Sequence, residues 1–348
     1  MTALPWTVDP REIVAEALAD LRGGTPKGVV RSHESHIAFY LINAVDFGFN
    51  EHDYCMNVMP LCHINSTFFT FTFLYIGASV YIHPARSFKP EEILEIVERE
   101  KITFISLIPT HYNLILNASK KAKKHDVSSI RKLICSSAPV RKSMKLAIMD
   151  FFPGVELYEG YGSTEAGIVT ILKPEHQLRK LGSIGYETLG TDFVKILAED
   201  GNEVGVGEVG ELYSKGPMLF DEYYKLPEKT AASFQGGWFS AGDMATRDEE
   251  GFYQIVDRKD NMIITGGENV YPSEIEEVIG SHECVFDCAI VVQISSLRPV
   301  PEHFGGIAAA GVLGDVAGLA GYPIDVTVEQ VEFVRFGCVA ALAGVLIG

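Results

Sequence analysis

The chain has 348 residues, 47% of them hydrophobic, which is enough apolar material for a large core and more than one domain. Its formal net charge of -17 excludes a nucleic-acid backbone as partner, because that interaction needs a net or local basic surface. The six cysteines are scattered without a C-x-x-C pair, so they read as reduced thiols, and Cys284 and Cys288 lack the further ligands of a zinc site.

The first residues carry no basic region followed by an apolar run, so no signal peptide is expected. "DPREIVAEALAD" reads as an ordinary helix, and "LRGGTPKGVV" then groups glycines, a proline and Lys27 in the manner of a loop that holds phosphate. From about residue 37 to 175 strands alternate with helices. "MPLCHINS" sets His63 just after an apolar strand, where it is a satisfied structural residue or a site residue. "SVYIHP" is a strand, and "KPEEILEIVEREK" a helix with Pro90 near its start and Ile93, Ile96 and Val97 on one face. "ITFISLIP" is continuously apolar, as a strand buried on both faces should be. A helix near Thr110 to Ser119, the strand "KLICSS", the helix "VRKSMKLAIMDFF" and the strand "VELYEGYG" complete a second round. The repetition predicts an α/β fold with a parallel, doubly wound sheet and ligands at strand C-termini.

After about residue 182, "FVKILAEDGNEVGVGEVGELYSKG" and "ATRDEEGFYQIVDR" are short strands separated by Asp-Gly and Glu-Gly turns, the chemistry of antiparallel hairpins or a barrel. "YPSEIEEVIG" restarts helix, with Pro272 first and Gly280 as its C-terminal cap. From about Ser295 the Gly- and Ala-rich sequence predicts a loose helix or an unstructured tail. The final "CVAALAGVLIG" is far short of the ~20 apolar residues of a membrane span, and a soluble, cytoplasmic protein is expected.

Three stretches carry candidate chemistry. "YEGYGSTEAG" follows a strand with glycines for close approach, Ser163 and Thr164 for phosphate oxygens, and Glu165 as a hard ligand for Mg²⁺. It reads equally as a tight strand-end turn with a solvated Glu. "GWFSAGDMA" places Asp243 at a strand end, where a carboxylate can take both hydroxyls of a ribose or simply occupy a turn. In "VDRKDNMIITGGENVYPSEIEEVI", Arg258 offers a planar fork, Asp260 stands where a hinge belongs, and Gly266 and Gly267 allow close ligand approach; the bland alternative is a charged surface turn. Ser163 lacks a nucleophile elbow.

In this order and spacing, "TPKGVV", "MPLCHIN", "YGSTEAG", "GELYSKG", "GWFSAGD" and "DRKDNMIITGGENVYPSEIEEVI" resemble the successive signature blocks of the adenylate-forming acyl-CoA synthetases, the AMP-dependent synthetase and ligase superfamily, over about Thr25 to Val292. The resemblance implies an α/β fold: part of the family's large domain, with doubly wound sheets and a β-barrel-like subdomain, over 25–257, then a hinge and the start of the small C-terminal domain over 258–293. Segments 1–24 and 294–348 match nothing in it. It further implies an AMP-forming ligase that takes a fatty or aryl carboxylic acid, ATP and coenzyme A, with Mg²⁺. Thr164 would contact phosphate and, with Glu165, bind Mg²⁺, while Lys27 and His63 complete the catalytic set. Ser137, Ala138, Pro139, Glu159, Gly160, Tyr161, Gly162 and Ser163 would surround the nucleotide. Asp243 would grip the ribose, Arg258 ribose or phosphate, Asp260 would be the pivot, His63 would border the acyl pocket, and Gly266 and Gly267 the coenzyme A channel.

The departures are equally specific. The family's phosphate loop runs Ser/Thr-Ser-Gly-Thr-Thr-Gly-x-Pro-Lys-Gly, and only Gly24-Thr25-Pro26-Lys27-Gly28 matches; "ADLRG" stands in the hydroxyl-bearing half. The family's small-domain lysine has no counterpart, since no lysine follows Lys259. The expectation is a member truncated at both ends with weak or no adenylation. The alternatives are a non-catalytic nucleotide- or acyl-binding remnant and a gene fragment without a stable fold.

Overall fold

The computed structural model describes residues 27–61, 63–84, 87–119, 125–136, 140–265, 268–273 and 275–276, together with short strands at 14–15, 288–291, 327–328, 332–334, 339–343 and 345–346. The chain divides into two compact units, Met1–Ala241 with Thr246–Ile255, and Gly242–Ala245 with Val256–Gly348.

The first unit begins with β1 (Val14–Ala15) antiparallel to β2 (Val29–Val30). This overturns the helix expected across "DPREIVAEALAD" at Val14 and Ala15: ladder partners in the β-branched pair Val29–Val30 outweigh local helix propensity. Next come α1 (His33–Asp46), β3 (Tyr54–Asn57), α2 (Ile64–Tyr75), β4 (Ser79–Ile82), α3 (Pro90–Glu100), β5 (Phe104–Leu107), α4 (Pro109–Ser119), β6 (Lys132–Ser136), α5 (Lys142–Phe151), β7 (Glu156–Ser163), β8 (Gly167–Leu172) and β9 (Tyr186–Glu187). They build a seven-stranded sheet in the order β4-β3-β5-β6-β7-β8-β9. Its first five strands are parallel and its last two antiparallel.

Alternation along these strands explains why they read as continuous apolar runs. Met56, Ile105, Leu107, Leu133 and Leu157 turn to one face and pack with Ile93, Val97, Tyr112, Ile115 and Ile148 of α3, α4 and α5. Cys55, Phe104, Ile134 and Tyr158 turn to the other and meet Phe69 and Phe73 of α2 and Phe47 beyond α1. With helices on both faces the sheet is doubly wound, as the alternating pattern predicts. α3 shows the local logic: Pro90 is its first residue, Glu91 and Glu92 oppose the positive end of its dipole, and Lys101 closes it in the left-handed conformation.

The remaining elements are β10 (Phe193–Leu197), β11 (Gly210–Lys215), β12 (Glu222–Tyr223), α6 (Pro227–Ala232), β13 (Phe234–Gln235), β14 (Trp238–Arg247) and β15 (Tyr253–Arg258). β10 and β11 form the antiparallel hairpin expected of "FVKILAEDGNEVGVGEVGELYSKG". Between β14 and β15, the Asp248 carboxylate accepts the Glu250 and Phe252 amides, both at 2.9 Å, and Gly251 takes φ +86°.

In the second unit, β16 (Ile263–Thr265) pairs antiparallel with β17 (Glu268–Val270). Pro272, Ser273, Ile275 and Glu276 are helical, and Gly280 lies outside the described residues. Within 294–348 the described residues, at 327–328, 332–334, 339–343 and 345–346, are strands, so at those positions the expected loose helix or unstructured tail is replaced by strand; the remainder lies outside the described residues. Val339–Ala343 runs parallel to Cys288–Val291, whose apolar, β-rich sequence supplies the ladder partner. Among the described residues no helix is long and apolar enough to cross a membrane.

Candidate nucleotide and phosphate site

The motif "YEGYGSTEAG" is not a turn that follows a strand. β7 continues through it to Ser163, and a three-residue turn, Thr164 to Ala166, leads directly into β8. The strand persists because β8 pairs with it, with a register shift between Tyr161 and Gly162. A Cβ at Gly162 would collide with the Gly167 carbonyl, so only glycine permits this crossing. Ser163 Oγ accepts the Ala166 amide at 3.1 Å, folding the turn so that Thr164 and Glu165 stand at its tip.

The tip is held from below by Arg31, which is fully buried. Its guanidinium donates from Nη1 to Thr164 O at 2.7 Å and Glu165 O at 3.2 Å, and from Nη2 to Met218 O. It also stands 4.9 Å over the Phe68 ring. Burial lowers the Arg31 pKa to about 10 against the opposing pull of Glu165 and Asp221, so it remains a cation at neutral pH. The Phe220 amide donates to Glu165 O at 2.7 Å. The Glu165 carboxylate accepts the Tyr223 hydroxyl at Oε1, 2.7 Å away, and the Lys27 ammonium lies 4.9 Å over the Tyr223 ring. Lys27 and the distant pair Thr164–Glu165 are thus gathered around Arg31 and Tyr223.

His63 occupies the N-cap of α2, its Nδ1 accepting the Asn65 amide at 3.3 Å. Asn65 Nδ2 donates to Ser136 Oγ at 3.1 Å, and Ser136 lies opposite Gly160 in the sheet register. The strand order reverses at β3, flanked by β4 and β5, and the helices that follow β3 and β5 pack on opposite faces. His63 therefore sits at the crevice beyond the strand C-termini where open α/β sheets bind ligands. Burial depresses its pKa, favouring the neutral imidazole. Behind it, Asn57 accepts Ser66 Oγ at 2.8 Å and donates to Thr70 at 3.0 Å, tying α2 to the end of β3. The aromatic run on α2 is divided: Phe68, Phe69 and Phe73 belong to the core, while Phe71, Leu74 and Tyr75 are exposed.

Glu159, on β7 five residues before Thr164, pairs with the fully buried Lys145 of α5, whose Nζ also donates to Gln177 O at 3.3 Å. Burial pushes the Glu159 carboxyl up while Lys145 opposes the shift. Beside them, Tyr161, Gly162, Ser163, Leu212, Ser214 and Phe239 line an open hollow of about 200 Å³.

In the second unit, Asp243 is buried inside β14 rather than at a strand end. Just ahead of it, Gly242 takes φ +82°, a backbone conformation that favours glycine. Asp243 Oδ1 pairs with Arg258 Nε at 2.8 Å. Asp260 is exposed in a 3-10 turn, Lys259–Asn261. That turn is anchored by the buried Asp257, which accepts Asn261 Nδ2 at 3.0 Å, the Ser273 amide at 3.0 Å and Ser273 Oγ at 2.9 Å. Ser137, Ala138, Pro139, Gly266 and Gly267 lie outside the described residues.

The family described as "AMP-binding enzyme" matches residues 23–224. The chain belongs to the AMP-binding enzyme family. The chain is 34% identical over 271 residues to a feruloyl-CoA synthase of Amycolatopsis sp, covering 77% of this chain and 54% of that one. It is 31% identical over 304 residues to a 2-succinylbenzoate–CoA ligase of Geobacillus kaustophilus (strain HTA426), covering 87% and 60%. The fold matches that of O-succinylbenzoate coenzyme A synthetase from Bacillus subtilis, solved in complex with ATP and magnesium ion, with a TM-score of 0.72 and 27% identity over 89% of this chain and 63% of that one. The chain therefore spans about half the length of the curated relatives it matches.

The donor set at the tip suits a magnesium ion that arrives with phosphate. Among the described residues no group of three or more His, Cys, Asp or Glu side chains could cage a metal. Mg²⁺ commonly takes one or two protein oxygens and fills its octahedron with phosphate and water, and Glu165 with the Thr164 hydroxyl supplies that number. Sequence reasoning missed Arg31, Tyr223 and Asp257. Asp257 carries a signal in "VDRKD", where it precedes the singled-out Arg258. Arg31 and Tyr223 carry none, because their partners lie in distant segments.

Proposed function

We propose that this chain is the nucleotide-handling part of an AMP-forming acid–thiol ligase that converts a carboxylic acid, ATP and coenzyme A to an acyl-CoA, AMP and pyrophosphate. The observation that carries this reading is the β7–β8 tip, where buried Arg31 fixes the carbonyls of Thr164 and Glu165. Preorganised donors and charges of this kind are what phosphoryl chemistry needs from a protein. In the first half-reaction a carboxylate oxygen attacks the α-phosphorus, the bond from that phosphorus to the bridging oxygen breaks, and pyrophosphate leaves. In the second, the thiol sulfur attacks the acyl carbon, the acyl–oxygen bond breaks, AMP leaves, and the thiol proton passes to solvent.

Within that scheme the Thr164 hydroxyl donates to a phosphate oxygen, and Lys27 opposes phosphate charge. Glu165 and Thr164 hold Mg²⁺, which when bound neutralises charge on the phosphates. Tyr161, with Glu159, Gly160, Gly162, Ser163 and residues 137–139, borders the nucleotide. Asp243 takes the ribose hydroxyls, with its bond to Arg258 orienting the carboxylate. Asp260 is the pivot, His63 borders an aryl or fatty acid, and Gly266 and Gly267 border the pantetheine path. The cytoplasm, which supplies ATP and coenzyme A, is the proposed compartment.

For the polypeptide of this sequence we propose weak adenylation, because "ADLRG" stands where phosphate-binding hydroxyls belong. Carboxylate-dependent ATP–pyrophosphate exchange tests this. Slow exchange is expected, and a rate typical of efficient ligases would refute it. A second reading, a nucleotide-binding protein without catalysis, is favoured by the combination of an assembled tip and this incomplete loop. It predicts calorimetric binding of AMP that Asp243→Ala weakens, with no exchange at all.

A further inference from the structure

Tyr223 belongs to none of the stretches in which chemistry is legible, yet it joins two of them. It lies on β12, which pairs with β2 so that Tyr223 is opposite Val29, two residues beyond Lys27. Its ring is buried, 4.8 Å from that of Phe220. Its amide accepts no freedom either, donating to Thr230 Oγ1 at 2.9 Å. From this fixed base the hydroxyl reaches Glu165 Oε1 at 2.7 Å, while the opposite use of the same ring is as a platform for the Lys27 ammonium. A glutamate at the tip of a three-residue turn otherwise has three rotatable bonds and no reason to favour one direction.

We propose that Tyr223 is the positioning residue that sets Glu165 for a magnesium–nucleotide complex, its hydroxyl fixing one carboxylate oxygen and its ring holding Lys27 on the same site. This rests on the ligase reading, since the ligand is the Mg²⁺–ATP of that reaction. Tyr223 acts through Glu165 and Lys27 and need not touch the nucleotide.

Tyr223→Phe separates positioning from packing, because it keeps the ring, the Phe220 contact and the Lys27 platform and removes only the hydroxyl. The measurement is calorimetric binding of α,β-methylene-ATP to the full chain at graded Mn²⁺, and without metal. A charge-assisted hydrogen bond lost from the metal-binding carboxylate should raise the Mn²⁺ needed for half-saturation by about tenfold. Metal-free nucleotide affinity should stay within about twofold, and the melting transition should be retained. In a Glu165→Gln background the same substitution should have little further effect, since the group being positioned is gone. An unchanged Mn²⁺ requirement, an equal loss with and without metal, or a lost melting transition overturns the inference while leaving the ligase reading in place. If the wild-type chain binds no metal–nucleotide, the ligase reading falls and takes this inference with it.

Discussion

Replacing Arg31 with methionine tests the foundation of the site, because the Arg31 guanidinium bonds the carbonyls of both Thr164 and Glu165. The substitution keeps much of the apolar stem and removes the guanidinium. Glu165 O retains the Phe220 amide as donor, whereas Thr164 O and Met218 O lose the donor Arg31 supplied. A buried carbonyl left unpaired costs about 1–3 kcal/mol, so two cost about 2–6 kcal/mol. Relief from desolvating a buried cation offsets part of this, leaving a net loss of about 3 kcal/mol. Arg31→Lys keeps the charge but not the fork, and should lose about half as much. Urea unfolding followed by fluorescence reads the change directly. With a slope of about 3 kcal/mol/M, Arg31→Met should lower the midpoint by about 1 M at constant slope. A midpoint within about 0.2 M of wild type would show that the tip does not depend on this cation, and the reasoning from its hydrogen bonds would fail.

Other expectations follow from single contacts. Gly162→Ala drives a methyl into the Gly167 carbonyl and should destabilise the chain by about 3 kcal/mol, more than Gly154→Ala, where the added carbon meets nothing within 4 Å but a φ of +78° still imposes strain. Chemical denaturation of the two variants, showing equal loss, would contradict this. Burial, with Arg31 nearby, lowers the His36 pKa to about 4. The unfolded chain then binds the extra proton first, so this residue's contribution is present above about pH 6.5 and lost as pH falls towards 4. The melting temperature of wild type should fall more steeply through that window than that of His36→Gln, and parallel curves would refute the assignment. Burial raises the thiols of Cys55 and Cys135, so peptide mass spectrometry should find both unmodified by maleimide until denaturant is added. Rapid native labelling at either would contradict their placement.

The parallel sheet was legible because its central strands β5 and β6 are buried on both faces, which leaves an unbroken apolar run such as "ITFISLIP". α3 was equally plain, with an N-terminal proline, first-turn acids and a single apolar face. The course of β7 through the glycine-rich motif was not, since pairing with β8, rather than anything in "GYGS", keeps it extended. The candidate residues Lys27, Thr164, Glu165 and Asp243 could be named from local sequence, but not what holds them. Arg31 reaches carbonyls 133, 134 and 187 positions away, and Tyr223 reaches a carboxylate 58 positions away. Main-chain carbonyls leave no trace in residue identity, so contacts of this kind are invisible to motif reading.

The β7–β8 tip is proposed to receive the phosphates of a magnesium-bound adenine nucleotide. Titration calorimetry of Mg²⁺ with α,β-methylene-ATP into the wild-type chain and into Glu165→Gln tests it most directly. Saturable one-to-one binding by wild type, weakened at least tenfold in the variant, is the predicted result. Equal binding by both chains, or none by wild type, would contradict it.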